Sequence, residues 1–391
     1  MNKKLSFLIG LILFPIILFA FAGDADLEKA AAAARERKGD LTIDLTTQAI
    51  AEGLSPQNQA MALILRASQE QKKFILDKAL KDYNDALEKN IDLQDNVKAS
   101  GYGARGQLYV LKGLYNEADR DINKSIKLNS KDGYMYCIRG SYYSGRGNLN
   151  KSMEDYNKAT ELLPNKPEPY YFRGGLFEKQ GKYQEANADY QNAIDKHELT
   201  GGAKAGLIGV LYMQGKLDET LKAASEIKSG AEELSASKIR VYFTKLQTLN
   251  ELGRKNEVKA LVKEAEKYIK EQIQLEPQRS INYAGLGLIY CEAGVNLFEA
   301  IELGDKANQT GPESCGDHIK ALCYFSLGDY DNAIRYMLKH IDKEPMDLWS
   351  MYKLGLIYRA VDKEKQAQSI WDRVLKVNPK YRLILKELMP S

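Results

Sequence analysis

The chain has 391 residues, of which 44% are hydrophobic, and its 56 lysines and arginines nearly balance its 53 aspartates and glutamates. This length allows a large buried core and by itself suggests two or three ordinary domains. The near-neutral charge argues against a nucleic-acid-binding protein, which needs a basic face to neutralise phosphates. Three histidines and four scattered cysteines leave little material for a metal site or a histidine-based catalytic centre. We therefore predict no metal, no cofactor and no enzymatic activity.

The segment at 1–22 is typical of a secretory signal peptide. Lys3 and Lys4 precede an apolar run at 5–21, and residues 20–22 match the small-x-small cleavage pattern. We expect cleavage after Ala22 and export to the periplasm or out of the cell. An uncleaved N-terminal membrane anchor is the alternative, because a run of this length lies at the short end of what spans a bilayer. No second run of that length follows, so we expect no membrane contact after cleavage.

A 34-residue period organises the sequence after residue 60. Glycine and aromatic residues recur at this step in several parallel series. These series include Gly106, Gly140 and Gly174; Gly113, Gly147, Gly181 and Gly215; Tyr102, Tyr136 and Tyr170; and Ile122, Tyr156 and Tyr190. A fixed period of this length indicates a solenoid of stacked helical hairpins.

The residue types within one period explain the hairpin. Aromatic and apolar positions spaced 3, 4 and 7 apart share one face of a first helix. The glycine series that starts at Gly113 ends that helix, because glycine adopts the left-handed backbone conformation. Small residues seven apart, such as Ala186 and Ala193, let a second helix pack closely, with tyrosines filling the spaces around them. Pro164 then ends the second helix.

At these positions the sequence resembles the tetratricopeptide repeat family. The resemblance covers almost all of the chain after residue 22, and it implies an all-α, right-handed superhelical solenoid of about ten helical hairpins. The predicted organisation is a signal peptide at 1–22, a degenerate hairpin at 23–59, a first sub-array at 60–200, an irregular unit and seam at 201–238, a second sub-array at 239–380 and a capping helix at 381–391.

Two charged series recur in the first sub-array. Arginine occupies one position of the first helix and aspartate one position of the second helix in four consecutive units: Arg66, Arg105, Arg139 and Arg173, and Asp82, Asp121, Asp155 and Asp189. Because the two helices of a hairpin are antiparallel, we predict arginine–aspartate pairs within each hairpin. An anion-binding arginine ladder is the alternative. Both series are absent from residue 201 onward, which favours a seam at 201–238.

Most motifs that could indicate ligand binding or catalysis coincide with positions of the 34-residue repeat. Residues 101–106 match the phosphate-binding pattern G-x-G-x-x-G, but they lie inside a predicted helix with no preceding strand. His197 falls at the end of a predicted helix, and His318 and His340 lie in one unit without a nearby cysteine or serine in a persuasive relay. We expect packing or surface roles for all three.

The cysteines have two alternatives. Cys291 and Cys323 fall near the same height on the first helices of adjacent units, so a disulfide between them is sterically allowed after export. Buried free thiols are the principal expectation for all four cysteines.

The resemblance places the candidate binding site on the concave surface, which first helices line. The predicted partner-binding residues are Tyr171, Phe172, Tyr212, Phe243, Leu288, Ile319, Leu322, Phe325, Trp349, Tyr352 and Arg359. Charged residues are sparse at these positions, which favours burial of apolar side chains from a peptide or helix. For each aromatic residue, packing against a neighbouring unit is the alternative.

We predict an exported, non-enzymatic scaffold that binds protein or peptide partners in an apolar concave groove. A chaperone-like binder of unfolded or extended polypeptides in the envelope is the alternative, and it would bind many clients weakly. Stoichiometric capture of a single partner distinguishes the two. We expect no nucleic-acid partner.

Overall fold

The computed structural model describes residues 24–36, 38–88, 92–196, 200–227, 235–311 and 314–382. Within these ranges the chain forms twenty α-helices and no strand, and the helices follow one another as ten successive pairs. The predicted all-α solenoid of about ten helical hairpins is confirmed. The signal peptide predicted at 1–22, residue His197 and most of the capping helix predicted at 381–391 lie outside the described residues.

The helices divide between two compact units, and the boundary lies between Arg139 and Gly140. The predicted seam at 201–238 stays a prediction. The helices that begin in the first unit are α1 (Ala25–Arg35), α2 (Gly39–Glu52), α3 (Pro56–Lys72), α4 (Leu76–Leu87), α5 (Asp95–Leu111), α6 (Tyr115–Leu128) and α7 (Gly133–Gly145), the last of which spans the boundary.

The second unit contains the remaining helices. They are α8 (Leu149–Leu162), α9 (Pro167–Lys179), α10 (Tyr183–Asp195), α11 (Thr200–Met213), α12 (Leu217–Ser225), α13 (Ser235–Glu251), α14 (Lys255–Leu275), α15 (Ser280–Ala293), α16 (Leu297–Thr310), α17 (Ser314–Ser326), α18 (Tyr330–Lys343), α19 (Leu348–Ala360) and α20 (Glu364–Val377), followed by a 3-10 turn at Pro379–Tyr381. Odd-numbered helices are the first helices of their hairpins. Among the described helices, none combines the length and apolar character that a membrane crossing requires.

Glycine ends the first helix in seven consecutive hairpins. The residues concerned have φ between 67° and 82°, and they are Gly113, Gly147, Gly181, Gly215, Gly253, Gly294 and Gly328. Other residues adopt this left-handed conformation at a cost, which explains why glycine recurs at this step. Phe74 and Asp362 take the same conformation after α3 and α19, where the repeat departs from its pattern.

A second glycine series lies where an aromatic side chain of the second helix packs onto the first. A Cβ atom added to Gly140 would lie 2.7 Å from the Tyr156 ring, and one added to Gly174 would lie 3.0 Å from the Tyr190 ring. In both pairs the glycine precedes its aromatic partner by the same step along the sequence. The predicted close approach of the two helices around tyrosines is therefore confirmed.

The predicted arginine–aspartate pairs are confirmed in three hairpins. The shortest nitrogen–oxygen distances are 2.6 Å for Arg66 and Asp82, 2.7 Å for Arg105 and Asp121, and 2.8 Å for Arg173 and Asp189. Each guanidinium donates two hydrogen bonds to its carboxylate. This bidentate pairing favours structural roles for these arginines over the anion-binding ladder. Arg139 and Asp155 belong to different units, and their pairing stays a prediction.

The second unit closes on itself through contacts between residues that are 200 positions apart in sequence. Asn378, which follows α20, donates a hydrogen bond of 3.5 Å to the carbonyl oxygen of Glu178 at the end of α9. Its side-chain amide also contacts the hydroxyl of Tyr183 at 3.5 Å. The chain after the last helix therefore packs against the turn between α9 and α10.

Replacing Gly181 with alanine is expected to destabilise this closure. Its φ is +74°, and an added Cβ would meet the side-chain oxygen of Asn378. Gly215 is the matched control, because it has a φ of +73° and no described atom within 4 Å of an added Cβ. The backbone strain common to both variants costs about 1–2 kcal/mol of unfolding free energy, and only G181A loses the contact as well.

Hydrogen–deuterium exchange and urea unfolding measure the two effects. We expect faster exchange of the Tyr381 amide, which donates to the carbonyl of Asn378, in G181A but not in G215A. Equal unfolding free energies and equal exchange in the two variants would show that the contact does not stabilise the unit.

Candidate partner-binding cavity

The second unit surrounds a cavity of about 200 Å³. Its walls come from the first helices α9, α11, α13, α15, α17 and α19, with Tyr381 from the turn that closes the unit. The large side chains on these walls are Tyr171, Tyr212, Phe243, Leu288, Trp349 and Tyr381. An apolar cavity of roughly 150 Å³ binds a benzene molecule. The space therefore admits a group of about the size of one aromatic side chain.

Five of the predicted partner-binding residues line this cavity: Tyr171, Tyr212, Phe243, Leu288 and Trp349. Tyr171 is buried, and the other four side chains are partly exposed. Burial raises the pKa of Tyr171 to about 12, so its hydroxyl stays protonated at neutral pH. The structure thus brings these five residues together from five different first helices.

The other six predicted residues lie outside the cavity wall. Phe172, Ile319, Leu322 and Tyr352 are buried, and Phe172 stacks on Tyr156 of the preceding hairpin with ring centroids 6.0 Å apart. Phe325 is partly buried against Tyr330, at 6.0 Å between ring centroids. Arg359 is exposed at the end of α19. Contacts between and within hairpins therefore account for several of these side chains.

Two charged groups on the wall, Arg240 and Glu178, neutralise each other. The Arg240 guanidinium donates to both carboxylate oxygens of Glu178, at 2.9 and 3.2 Å. The hydroxyl of Tyr190 donates to the same carboxylate at 2.5 Å. Glu178 is 4% exposed, and a paired carboxylate at such a position attracts no basic ligand strongly. The cavity therefore favours apolar groups over charged ones.

Sequence reasoning missed a buried polar cluster beside this cavity. His318 and Asp347 line the wall, and Ser350 Oγ lies 2.6 Å from Nδ1 of His318. The expectation that His318 and His340 have no nearby serine partner is wrong for His318, because α17 packs beside the start of α19. Asp347 is the N-cap of α19 and accepts a hydrogen bond from the Ser350 backbone. This pattern, an aspartate followed three residues later by a serine at the start of a helix, is the sequence feature that could have indicated the cluster.

A disulfide joins α15 and α17. Cys291 and Cys323 are bonded, with their Cα atoms 5.3 Å apart, so the principal expectation of free thiols is wrong for this pair. The spacing of the repeats placed the two residues at one height, but only the helix rotation decides whether the sulfurs meet. Cys137 is buried, whereas the side chain of Cys315 lies outside the described part of the chain.

The fold defines an α-helical repeat protein, and family comparisons specify which repeat. Models described as tetratricopeptide repeat match residues 99–132, 134–166, 173–232, 318–342 and 349–381. The chain is a tetratricopeptide repeat protein.

Solved structures with similar folds include two bacterial proteins. A tetratricopeptide repeat protein from Parabacteroides merdae is 16% identical with a TM-score of 0.45, and the match covers 77% of this chain and 97% of that one. A thermophilic tetratricopeptide repeat protein from Thermus thermophilus is 18% identical with a TM-score of 0.41, covering 48% of this chain and 97% of that one. No curated protein matches the sequence.

Proposed function

We propose that this protein is an exported, non-enzymatic scaffold that binds a protein or peptide partner by taking one apolar side chain into the cavity. Tetratricopeptide repeats in general mediate protein–protein interactions. The observation that carries the proposal is the wall itself, in which aromatic and apolar side chains from successive first helices surround a single space. Aromatic side chains that surround a pocket are the usual anchors of tight interfaces.

The size of the cavity favours one side chain of a larger partner over a free small molecule. A volume of about 200 Å³ is below the range of about 300–1,000 Å³ that is typical of small-molecule pockets. It suits one large side chain of a longer partner, whose backbone stays near the mouth.

Trp349 offers a hydrogen bond to such a backbone. Its indole nitrogen is buried, and among the described residues it has no hydrogen-bond partner. A buried donor of this kind costs free energy until an acceptor arrives. If the Trp349 ring rotates toward the mouth on binding, a carbonyl oxygen of the partner supplies that acceptor while the partner's side chain fills the cavity.

A peptide library tests the proposal while the partner is still unidentified. Selection of phage-displayed peptides on the immobilised chain is expected to enrich sequences that share one aromatic or large aliphatic residue. Alanine at Phe243 or Trp349 should weaken binding of the enriched peptides at least tenfold, or about 1.4 kcal/mol. Phe325→Ala is the matched control, since its ring lies outside the wall, and binding should persist. Failure to enrich any motif, or equal losses in all variants, would contradict the proposal.

A further inference from the structure

Two of the chain's three histidines meet a carboxylate inside the second unit. His318 lies on α17, His340 lies on α18, and Asp347 directly precedes α19. One nitrogen or oxygen atom from each residue lies within 4.8 Å of the others, and all three residues are buried. The two imidazole rings are 5.0 Å apart between centroids. Imidazole and carboxylate groups are rarely buried together without specific bonding partners.

The hydrogen bonds of the cluster fix its orientation. Nε2 of His340 lies 3.0 Å from Oδ2 of Asp347, and Ser350 Oγ lies 2.9 Å from the same oxygen. The other carboxylate oxygen, Oδ1, accepts from the backbone nitrogen of Ser350 at 3.2 Å. The start of α19 therefore holds one oxygen of Asp347 and directs the other toward His340.

We propose that His318, His340 and Asp347 form a binding site for a divalent transition-metal ion, with zinc as the ion that this donor set suits best. Zinc accepts imidazole nitrogens and carboxylate oxygens, and sites with three protein ligands of these types keep a position open for a further ligand. The placement of the donors supports this arrangement, because they come from three consecutive elements that the hairpin packing already fixes.

The spacing of the donors suits a small ion after modest side-chain rotation. Zinc–ligand bonds of about 2.0–2.1 Å in a tetrahedral site separate the ligand atoms by about 3.3 Å. The distance between His340 and Asp347 is 3.0 Å, and the separations within the set do not exceed 4.8 Å. The ion takes the place of the proton that His340 and Asp347 share, and that proton leaves to solvent.

Ser350 acts on the site as a positioning residue. Its hydroxyl contacts both Asp347 Oδ2 and His318 Nδ1, so it orients two of the three ligands before the ion arrives. Hydrogen bonds to ligating groups raise metal affinity, and their loss costs about 10- to 100-fold. We therefore expect Ser350→Ala to weaken zinc binding by about that factor without abolishing it.

The open side of the site faces the cavity. His318 and Asp347 line the cavity wall, whereas His340 is 2% exposed. Water or a donor atom of a bound group can therefore complete the coordination from the cavity side.

Lys179 carries a positive charge near the site, and this charge repels the metal ion. This buried lysine donates to Ser144 Oγ at 3.0 Å, and its ammonium group interacts electrostatically with Asp347. Removing that charge with Lys179→Met lowers the repulsion of a cation at the site. We expect this variant to bind zinc more tightly than the native chain, which a site elsewhere on the molecule would not do.

Isothermal titration of the untagged, chelator-treated chain with zinc chloride tests the proposal. We expect one zinc ion per chain, and loss of that binding in His318→Gln and in Asp347→Asn. Asp342→Asn is the matched control, because Asp342 is an exposed carboxylate on α18. Circular dichroism establishes that each variant retains the native helicity.

Cobalt chloride gives a second readout that does not depend on the stability of a variant. Cobalt(II) bound to the native chain by nitrogen and oxygen donors is expected to give visible absorption bands, and an excess of zinc should remove them. Absence of both heat and absorption in the native chain would overturn the proposal, and the cluster would then be a hydrogen-bonded network alone. Stoichiometric binding that persists in His318→Gln and Asp347→Asn would overturn it equally.

Discussion

Replacing Trp371 with alanine is expected to lower the free energy of unfolding by about 3–5 kcal/mol. Trp371 lies on α20 and is fully buried, and its indole nitrogen donates to the carbonyl of Tyr352 at 3.2 Å. Its ring packs directly over Gly355 on α19. Alanine removes the ring, leaves a cavity and loses the hydrogen bond from the indole nitrogen to the carbonyl of Tyr352. Because each hairpin of a solenoid is stabilised by its neighbours, we expect the last hairpin to lose its structure first.

The chain's other tryptophan is the matched control. Trp349 lies near the start of α19 and is only partly buried in the cavity wall. Trp349→Ala is therefore expected to cost much less stability than Trp371→Ala, while it removes an anchor for a bound peptide. Guanidinium unfolding followed by circular dichroism measures both free energies. Equal losses in the two variants would show that Trp349 is a packing residue and would weaken the case for the cavity.

The repeat made the hairpins predictable from sequence. Gly140 precedes Tyr156 by the same step along the sequence as Gly355 precedes Trp371, so one local spacing encodes the contact between the two helices of a hairpin. The arginine–aspartate pairs follow the same spacing, as Arg105 with its partner on α6 illustrates. Contacts that repeat at a short, fixed separation leave a periodic trace in the sequence. For this reason the helix pairs and their internal contacts could be predicted residue by residue.

The cavity could be predicted only in part, because its wall depends on helix rotation. Successive residues of an α-helix differ by about 100° in direction. Tyr171 consequently faces the cavity while its neighbour Phe172 packs on the preceding hairpin. A periodic pattern identifies the apolar side of a helix, but it does not separate the part that packs between hairpins from the part that lines the groove.

Contacts that do not recur in successive hairpins leave no periodic pattern in the sequence. Asn378 meets Glu178 from 200 positions away, and nothing in the 34-residue period indicates that the second unit closes there. The cluster of His318, His340 and Asp347 draws on two helices and a loop, and its members occupy unequal positions of their hairpins. No sequence pattern around any one of these residues indicates the whole cluster. Only the packing of the three elements brings the residues together.

Reducing the disulfide between Cys291 and Cys323 is expected to lower the free energy of unfolding by about 3–4 kcal/mol. The bond closes a loop with a sequence separation of 32 residues, so its main effect is to restrict the unfolded chain. It also fixes α15 against α17, and both helices contribute to the cavity wall. Urea unfolding with and without dithiothreitol measures the difference. The double variant C291S/C323S should be insensitive to the reductant, whereas Cys137→Ser should retain the native sensitivity.

The same bond links the structure to the proposed export. Disulfides persist in oxidising compartments such as the bacterial periplasm and are reduced in the cytosol. We expect a peptide cross-linked through Cys291 and Cys323 in tryptic digests of the chain when it is produced with residues 1–22. The chain produced in the cytosol without those residues should yield the two thiols. Thiols in both preparations would contradict export, because the Cα atoms of the two cysteines are 5.3 Å apart, a separation that a disulfide spans, and an oxidising compartment would have joined them.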